Sequence, residues 1–257
     1  MWNNSKIVVA AYLLKSPKIK NTVRIAHLSD LHEKRFGEGN QDLFSAIREL
    51  NPDIIAVTGD LVARSYQKNL NMEYTVELAR QLMSIAPVFF ATGNHEKKLL
   101  GQVLPILIRE GVQIAAGKAS TLYIRENFIN VAGMHDISIE RNFHKNAAVF
   151  EHIGQGYNIF LSHRPEHYHN LMQYNIDLLL CGHTHAGQVR FPYFGTFYMP
   201  GQGLFPRYLQ GGFVNQNTTM IISRGLGSSG YPTVRINNPP ELVNITLTGM
   251  DEDTDEG

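Results

Sequence analysis

Apolar positions gather into short runs that each break off into polar residues: TVRIAHLSD (22–30), DIIAVTGD (53–60), PVFFATGNH (87–95), YNIFLSH (157–163) and IDLLLCGHTH (176–185). Continuous β-branched or aliphatic runs of this length predict strands covered on both faces. Between the first three, the apolar period lengthens to that of a helix. NQDLFSAIREL places apolar residues at 43, 44, 47 and 50 behind Asn40 as N-cap, and residues 70–85 and 97–110 repeat the theme. Strand, helix and strand in succession predict right-handed crossovers and a parallel sheet whose carboxyl ends face one way. The polar endings are thereby expected to meet.

Later segments follow another grammar. STLYIRENFINVAG (120–133) predicts a hairpin, and TTMIISRG, TVRI and ELVNITL are short strands without helical spacers. They predict a second, more antiparallel sheet packed on the first, with helices outside, in an α/β domain covering residues 1–248. The run Ile7 to Leu14, closed by Lys6 and Lys15, predicts an edge strand. It is too short to span a bilayer core of about 30 Å and lacks a small-residue cleavage site; a trimmed anchor or an interfacial hook is the alternative. Residues 249–257, GMDEDTDEG, predict a solvated acidic tail with nothing apolar to bury. No internal repeat or flexible linker divides the chain.

Composition narrows the partners. Across 257 residues, 23 Lys and Arg balance 23 Asp and Glu, so no overall field recruits nucleic acid or an anionic membrane. The single cysteine, Cys181, excludes an internal disulfide and a thiolate-rich zinc site. With no spanning segment evident, the expected location is cytoplasmic or peripheral to the membrane. Eleven histidines are the anomaly.

Strands commonly end in polar loops, which explains polarity but not identity: these endings are Asp, His, Asp, Asn-His, His and His-x-His. Asp30 and His32, two positions apart where a strand runs out, can grip one ion between a hard oxygen and an imidazole. Asp60 follows a glycine that permits close backbone approach, and its carboxylate can bridge a pair of ions. Asn94 offers an amide oxygen, and His163, His183 and His185 offer nitrogens. These seven divide into two sets of four if Asp60 is shared. Oxygen and nitrogen donors without thiolate favour Mn²⁺, Fe²⁺/Fe³⁺ or Zn²⁺ over Ca²⁺. Two such ions, about 3.5–4 Å apart, form a general clamp for phosphoryl displacement by a bridging hydroxide. His95 is left over, free to stabilise the transition state or protonate the leaving oxygen.

The order Asp30-Leu31-His32, Gly59-Asp60, Gly93-Asn94-His95-Glu96, His163 and Gly182-His183-Thr184-His185 resembles the calcineurin-like metallophosphoesterases. The resemblance covers roughly residues 20–248. Five elements in order are specific, where a lone D-x-H is worthless. The run GHTHAGQVRFPYFGTFYMPGQGLFPRY looks like a bacterial branch often associated with the membrane, departing from it at Ala186, where glycine is common, and at Glu33-Lys34, where Leu-Gly is usual. The resemblance implies a four-layer αββα sandwich, one metal site of Asp30, His32, Asp60 and His185, and another of Asp60, Asn94, His163 and His183. The expected activity is hydrolysis of a phosphodiester, since no inserted cap that would enclose a small monoester is evident. Pyrophosphate cleavage in a nucleotide-linked lipid or sugar is the alternative, and a non-catalytic scaffold on the same fold is the rival from another class.

Other candidates have plainer readings beside them. His27, inside a buried run, is expected to be a core histidine. His135 and Asp136 suit turn chemistry, with support of a metal ligand as the alternative for Asp136. Arg164 suits a structural ion pair as well as a substrate phosphate. SRGLGSSGYP (223–232) has no lysine and opens no helix, so it predicts a turn and not a phosphate loop. The aromatic stretch 191–213 suits a loop packed by its own rings, or contact with an apolar or lipid arm of the substrate at the membrane periphery.

Overall fold

The computed structural model describes residues 6–63, 71–136, 143–153, 155–187, 198–199, 202–204, 206–215, 217–228 and 235–250. Two six-stranded sheets pack face to face. The first runs in the order β1 (Val8–Lys15), β14 (Glu241–Thr248), β2 (Val23–Leu28), β3 (Ile54–Thr58), β4 (Val88–Ala91) and β5 (Gln113–Ile114). The second runs β12 (Gly211–Asn215), β13 (Thr218–Ile222), β9 (Leu178–Cys181), β8 (Tyr157–Leu161), β7 (Asn127–Gly133) and β6 (Ser120–Ile124). A two-residue pair, β10 (Tyr198–Met199) with β11 (Gly203–Leu204), stands apart. Both large sheets are mixed: β2 to β5 are parallel with β14 antiparallel to β2, and β7, β8, β9 and β13 are parallel between antiparallel edges.

Alternation of side chains builds the layers. Ile25, Ala56, Phe89, Ile129, Ile159 and Leu180 fill the space between the sheets. Their sequence neighbours point outward. Ala26, Ile55 and Phe90 meet α1 (Gln41–Glu49), α2 (Met72–Met83) and α3 (Leu100–Arg109), while Ala132, Phe160 and Leu179 meet α4 (Phe143–Ala147) and α5 (Tyr168–Leu171). This is the expected four-layer αββα sandwich.

The allocation of strands differs from the sequence expectation. β8 and β9, grouped by their grammar with the first sheet, belong to the second; ELVNITL, expected in the second, is β14 inside the first. Strands buried on both faces read as the same apolar run in either sheet, so the pattern fixes their type and not their partners. The hairpin of β6 and β7 is present, and residues 8–14 of the run Ile7 to Leu14 lie in the edge strand β1. Asn40 does not cap α1: its backbone is left-handed, φ 62°, and its side chain instead accepts the Phe36 N–H at 2.9 Å. Asn71 does cap α2, accepting the Tyr74 N–H at 3.1 Å. Arg235, in the expected strand TVRI, is not in a strand, and residues 233–234 lie outside the described residues, as do 251–257 of the expected tail. Among the described residues no helix is long and apolar enough to cross a membrane.

Candidate metal centre

Loops at the carboxyl ends of β2, β3, β4, β8 and β9 converge on one point of the sandwich edge. The first two stay zipped beyond their strands: Asp30 N–H donates to Gly59 O, His32 N–H to Asp60 O and Glu33 N–H to Leu61 O, at 2.9–3.0 Å. Five of the seven ligand candidates, Asp30, His32, Asp60, His183 and His185, sit at positive φ between 46° and 70°. Side chains other than glycine visit that region at a cost of about 1 kcal/mol or more each, and such strain gathers where surrounding structure holds it for use. Ala186, at φ 48°, shares this conformation, which glycine would adopt without that cost.

The side chains meet in two overlapping groups. Asp30 Oδ1 lies 3.3 Å from His185 Nε2 and 3.9 Å from His32 Nε2, and the two imidazole nitrogens are 3.2 Å apart. His163 Nε2 lies 3.2 Å from Asn94 Oδ1 and 3.2 Å from His183 Nδ1. Asp60 Oδ2 stands between them, 3.8 Å from His32 Nε2 and 3.4 Å from His163 Nε2. Its other oxygen is taken, since Oδ1 accepts the His95 N–H at 2.9 Å. Asp60 Oδ2 is thus the oxygen that stands between the two groups. His95 Nε2 approaches that same Oδ2 at 3.7 Å, and its side chain is 14% exposed where His32, His163 and His185 are at most 5%.

Hydrogen bonds behind the cluster set which ring atoms face in. His163 Nδ1–H donates to Thr58 O at 2.7 Å and His32 Nδ1–H to Val62 O at 3.2 Å, turning both Nε2 atoms to the centre. Burial pushes the pKa of His32 down to about 4 and that of His185 to about 3, so both rings are neutral. Burial pushes Asp30 upward. It acts the same way on Asp60, but the charge and hydrogen bond of His163 outweigh it and hold Asp60 well below the carboxylate range.

These donors fit a cation. Asp30 Oδ2 is satisfied by Ser29 Oγ–H at 2.5 Å and His183 N–H at 3.0 Å, whereas Oδ1 is fully buried without a hydrogen-bond partner. A carboxylate oxygen so placed, with imidazole nitrogens at 3.3 and 3.9 Å, is costly unless a positive charge joins them.

All seven ligand candidates and His95 are thus brought to one cluster. Sequence reasoning missed the residues that hold it. Glu96, fully buried, accepts N–H from Asp60 at 2.9 Å, Gly93 at 2.7 Å and Val62 at 3.2 Å, tying two loops together. Its place beside Asn94-His95 was the available signal. Of SRGLGSSGYP, residues 223–228 are described. Gly225, at φ 75°, packs so closely that a Cβ there would stand 2.7 Å from Asp30 Cβ. Arg235, buried behind, ties Gly225 O at 2.7 Å and Gly227 O at 2.8 Å. Asp136 pairs with Arg164 at 2.7 Å, and His27 is a core residue bonded to Thr58 Oγ1 at 2.8 Å. Of the aromatic stretch, Phe191, Tyr193, Phe194, Phe197 and Phe205 lie outside the described residues, while Tyr208 and Phe213 pack inward on the core.

Two mixed sheets between helices, with acids and histidines gathered at the strand ends, define a metal-dependent hydrolase of phosphoric esters. The chain belongs to the calcineurin-like phosphoesterase family, whose model matches residues 23–187. It is 28% identical to a metallophosphoesterase of Aquifex aeolicus (strain VF5), over 94% of this chain and 92% of that protein. It is 26% identical to the phosphodiesterase YaeI of Escherichia coli (strain K12), over 87% and 82%. Among solved structures, the NAD nucleotidase of Haemophilus influenzae superposes with a TM-score of 0.55 at 13% identity, matching 80% of this chain and 45% of that longer one. That likeness concerns the fold alone.

Proposed function

We propose that the chain is a phosphodiesterase working with two divalent ions, Mn²⁺, iron or Zn²⁺. One is held by Asp30, His32, Asp60 and His185, the other by Asp60, Asn94, His163 and His183. The observation that carries this reading is Asp60 Oδ2, one buried oxygen within 3.8 Å of a nitrogen from each set. Ions there would supply an activated water and a counter-charge for the phosphate oxygens. The chain's own residues then have separate tasks. Thr58 O and Val62 O fix the tautomers of His163 and His32. Glu96 holds the loops of Asp60 and Asn94 in register. His95, more open to solvent than His32, His163 and His185, keeps its Nδ1 against Ala63 O at 3.3 Å and leaves Nε2 to meet charge developing on the ester or to give a proton to the departing oxygen. Similarity to YaeI favours a diester over a monoester.

Reconstitution with each metal, followed by assay on aryl phosphodiesters, aryl monoesters and nucleotide-linked diphosphates, tests the proposal. Diester turnover should be fastest and should rise with metal to a plateau near two ions per chain. A plateau at one ion, or monoester hydrolysis exceeding diester hydrolysis, defeats it.

A further inference from the structure

Arg164 follows His163 directly and reaches across the second donor set. Its Nε donates to Asp136 Oδ2 at 2.7 Å, Nη1 lies 2.9 Å from His183 Nε2, and Nη2 donates to Asn94 Oδ1 at 3.4 Å. Two of these three contacts use groups that an ion would need. Asn94 Oδ1 is a proposed ligand atom. His183 presents Nδ1 to His163 at 3.2 Å, and that is the ring atom facing the cluster. A neutral imidazole carries one hydrogen. Accepting from Arg164 at Nε2 puts that hydrogen on Nδ1. Binding an ion through Nδ1 requires its lone pair, which moves the hydrogen to Nε2 and sets two donors face to face at 2.9 Å with no acceptor between them.

The arginine's hold on Asn94 and His183 is therefore incompatible with an ion in the second set, whereas its hold on Asp136 is not. The Asp136 carboxylate is completely buried, and its N–H donates to Thr92 Oγ1 at 3.2 Å, which fastens it to the end of β4. Freed at Nη1 and Nη2 but still pinned at Nε, the guanidinium keeps its forked donors beside the second set. Its side chain is 22% exposed, so it is open to a ligand. We infer that Arg164 is a phosphate-binding residue, held by Asp136 with its Nη1 and Nη2 turned to the ester's oxygens when His183 and Asn94 serve the second ion. Planar paired N–H groups match the oxygens of a phosphate ester. The inference rests on the two-metal reading and adds to it a specificity residue.

The test is titration of the metal-loaded full chain with inorganic phosphate by calorimetry. Arg164→Met should weaken phosphate binding by about 10- to 100-fold, the scale of a lost charge-assisted pair, and Arg164→Lys should fall between. Affinity for the second Zn²⁺ should be equal or tighter in Arg164→Met, because no guanidinium competes for the ring and amide. Asp136→Asn should weaken phosphate binding without loss of ions. Unchanged phosphate affinity in Arg164→Met overturns the inference. So does loss of the second ion in parallel with phosphate, which would make the arginine a support for Asn94 and His183. If the wild type turns over no diester yet Arg164→Met loses phosphate binding, the arginine assignment stands and the diester reading falls.

Discussion

Asp60 is asked to do two incompatible things by its neighbours: burial favours its neutral form, and His163 beside it favours the anion, which prevails. On the proposed assignment its Oδ2 joins both ions, while His95 touches none. Asp60→Ala should therefore empty or scramble both positions in elemental analysis. His95→Ala should retain two ions and lose about 10²–10⁴ in kcat; metal loss equal in the two variants would make His95 a ligand. A second residue-scale effect concerns His27. Burial depresses its pKa to about 3, against about 6.5 in an unfolded chain. The unfolded state thus binds one more proton between those values. The stability involved is present above about pH 6.5 and is lost as pH falls towards 3, at up to ~1.4 kcal/mol per pH unit. His27→Gln keeps a polar atom for Thr58 and removes the titration. Urea unfolding in chelator from pH 4 to 6 should show a slope shallower by about one proton than the wild type, and identical slopes would contradict this. Residue types were legible because metal and phosphate chemistry admits few side chains. Ring orientations and the placing of Asp60 Oδ2 between the two groups were not, because they depend on atoms supplied by distant backbone.

At the scale of elements, the sequence shows strands and their endings clearly, since an apolar run that stops at Asp or His can be read locally. Which strands are neighbours is a long-range matter. The exchange of β14 for β8 and β9 between sheets changes nothing in their local pattern, and Asn40 was misread as a cap because Phe36, four residues back, competes for its side chain. Close approach between loops was also invisible. Gly182, joining β9 to His183, lies against the D-x-H loop so tightly that a Cβ would collide with Ser29 Oγ and Asp30 Oδ2. Gly182→Ala should cost about 1–3 kcal/mol in overpacking, and it should dislodge Asp30, so that bound metal falls below two ions per chain. Full metal content after the change would show that the loops have slack the packing does not suggest.

Across the whole molecule, each donor set draws on both sheets. Asp30 and His32 come from the loop after β2 and His185 from that after β9; Asn94 follows β4 and His163 follows β8. Ions would therefore link the two halves of the sandwich, and ligands that bind only the folded state stabilise it by mass action. Metal at about 100 times its dissociation constant should add ~2.7 kcal/mol per independent site, visible as a higher melting temperature that chelator reverses. An unchanged melting temperature at that loading would mean that the ions do not favour the folded chain over the unfolded one.

The position of β14 bears on how the protein is made. The strand begins at Glu241 and takes the place between β1 and β2, which have no direct pairing with each other. A ribosome releases β1 and β2 early and β14 after every other described strand. Throughout synthesis the nascent chain carries a gap in its first sheet, with the flanks of β1 and β2 open to any strand nearby, including those of sister chains on the same message. Closure of that gap waits for β14, which is made after all seven donors of the candidate metal centre, residues 30–185.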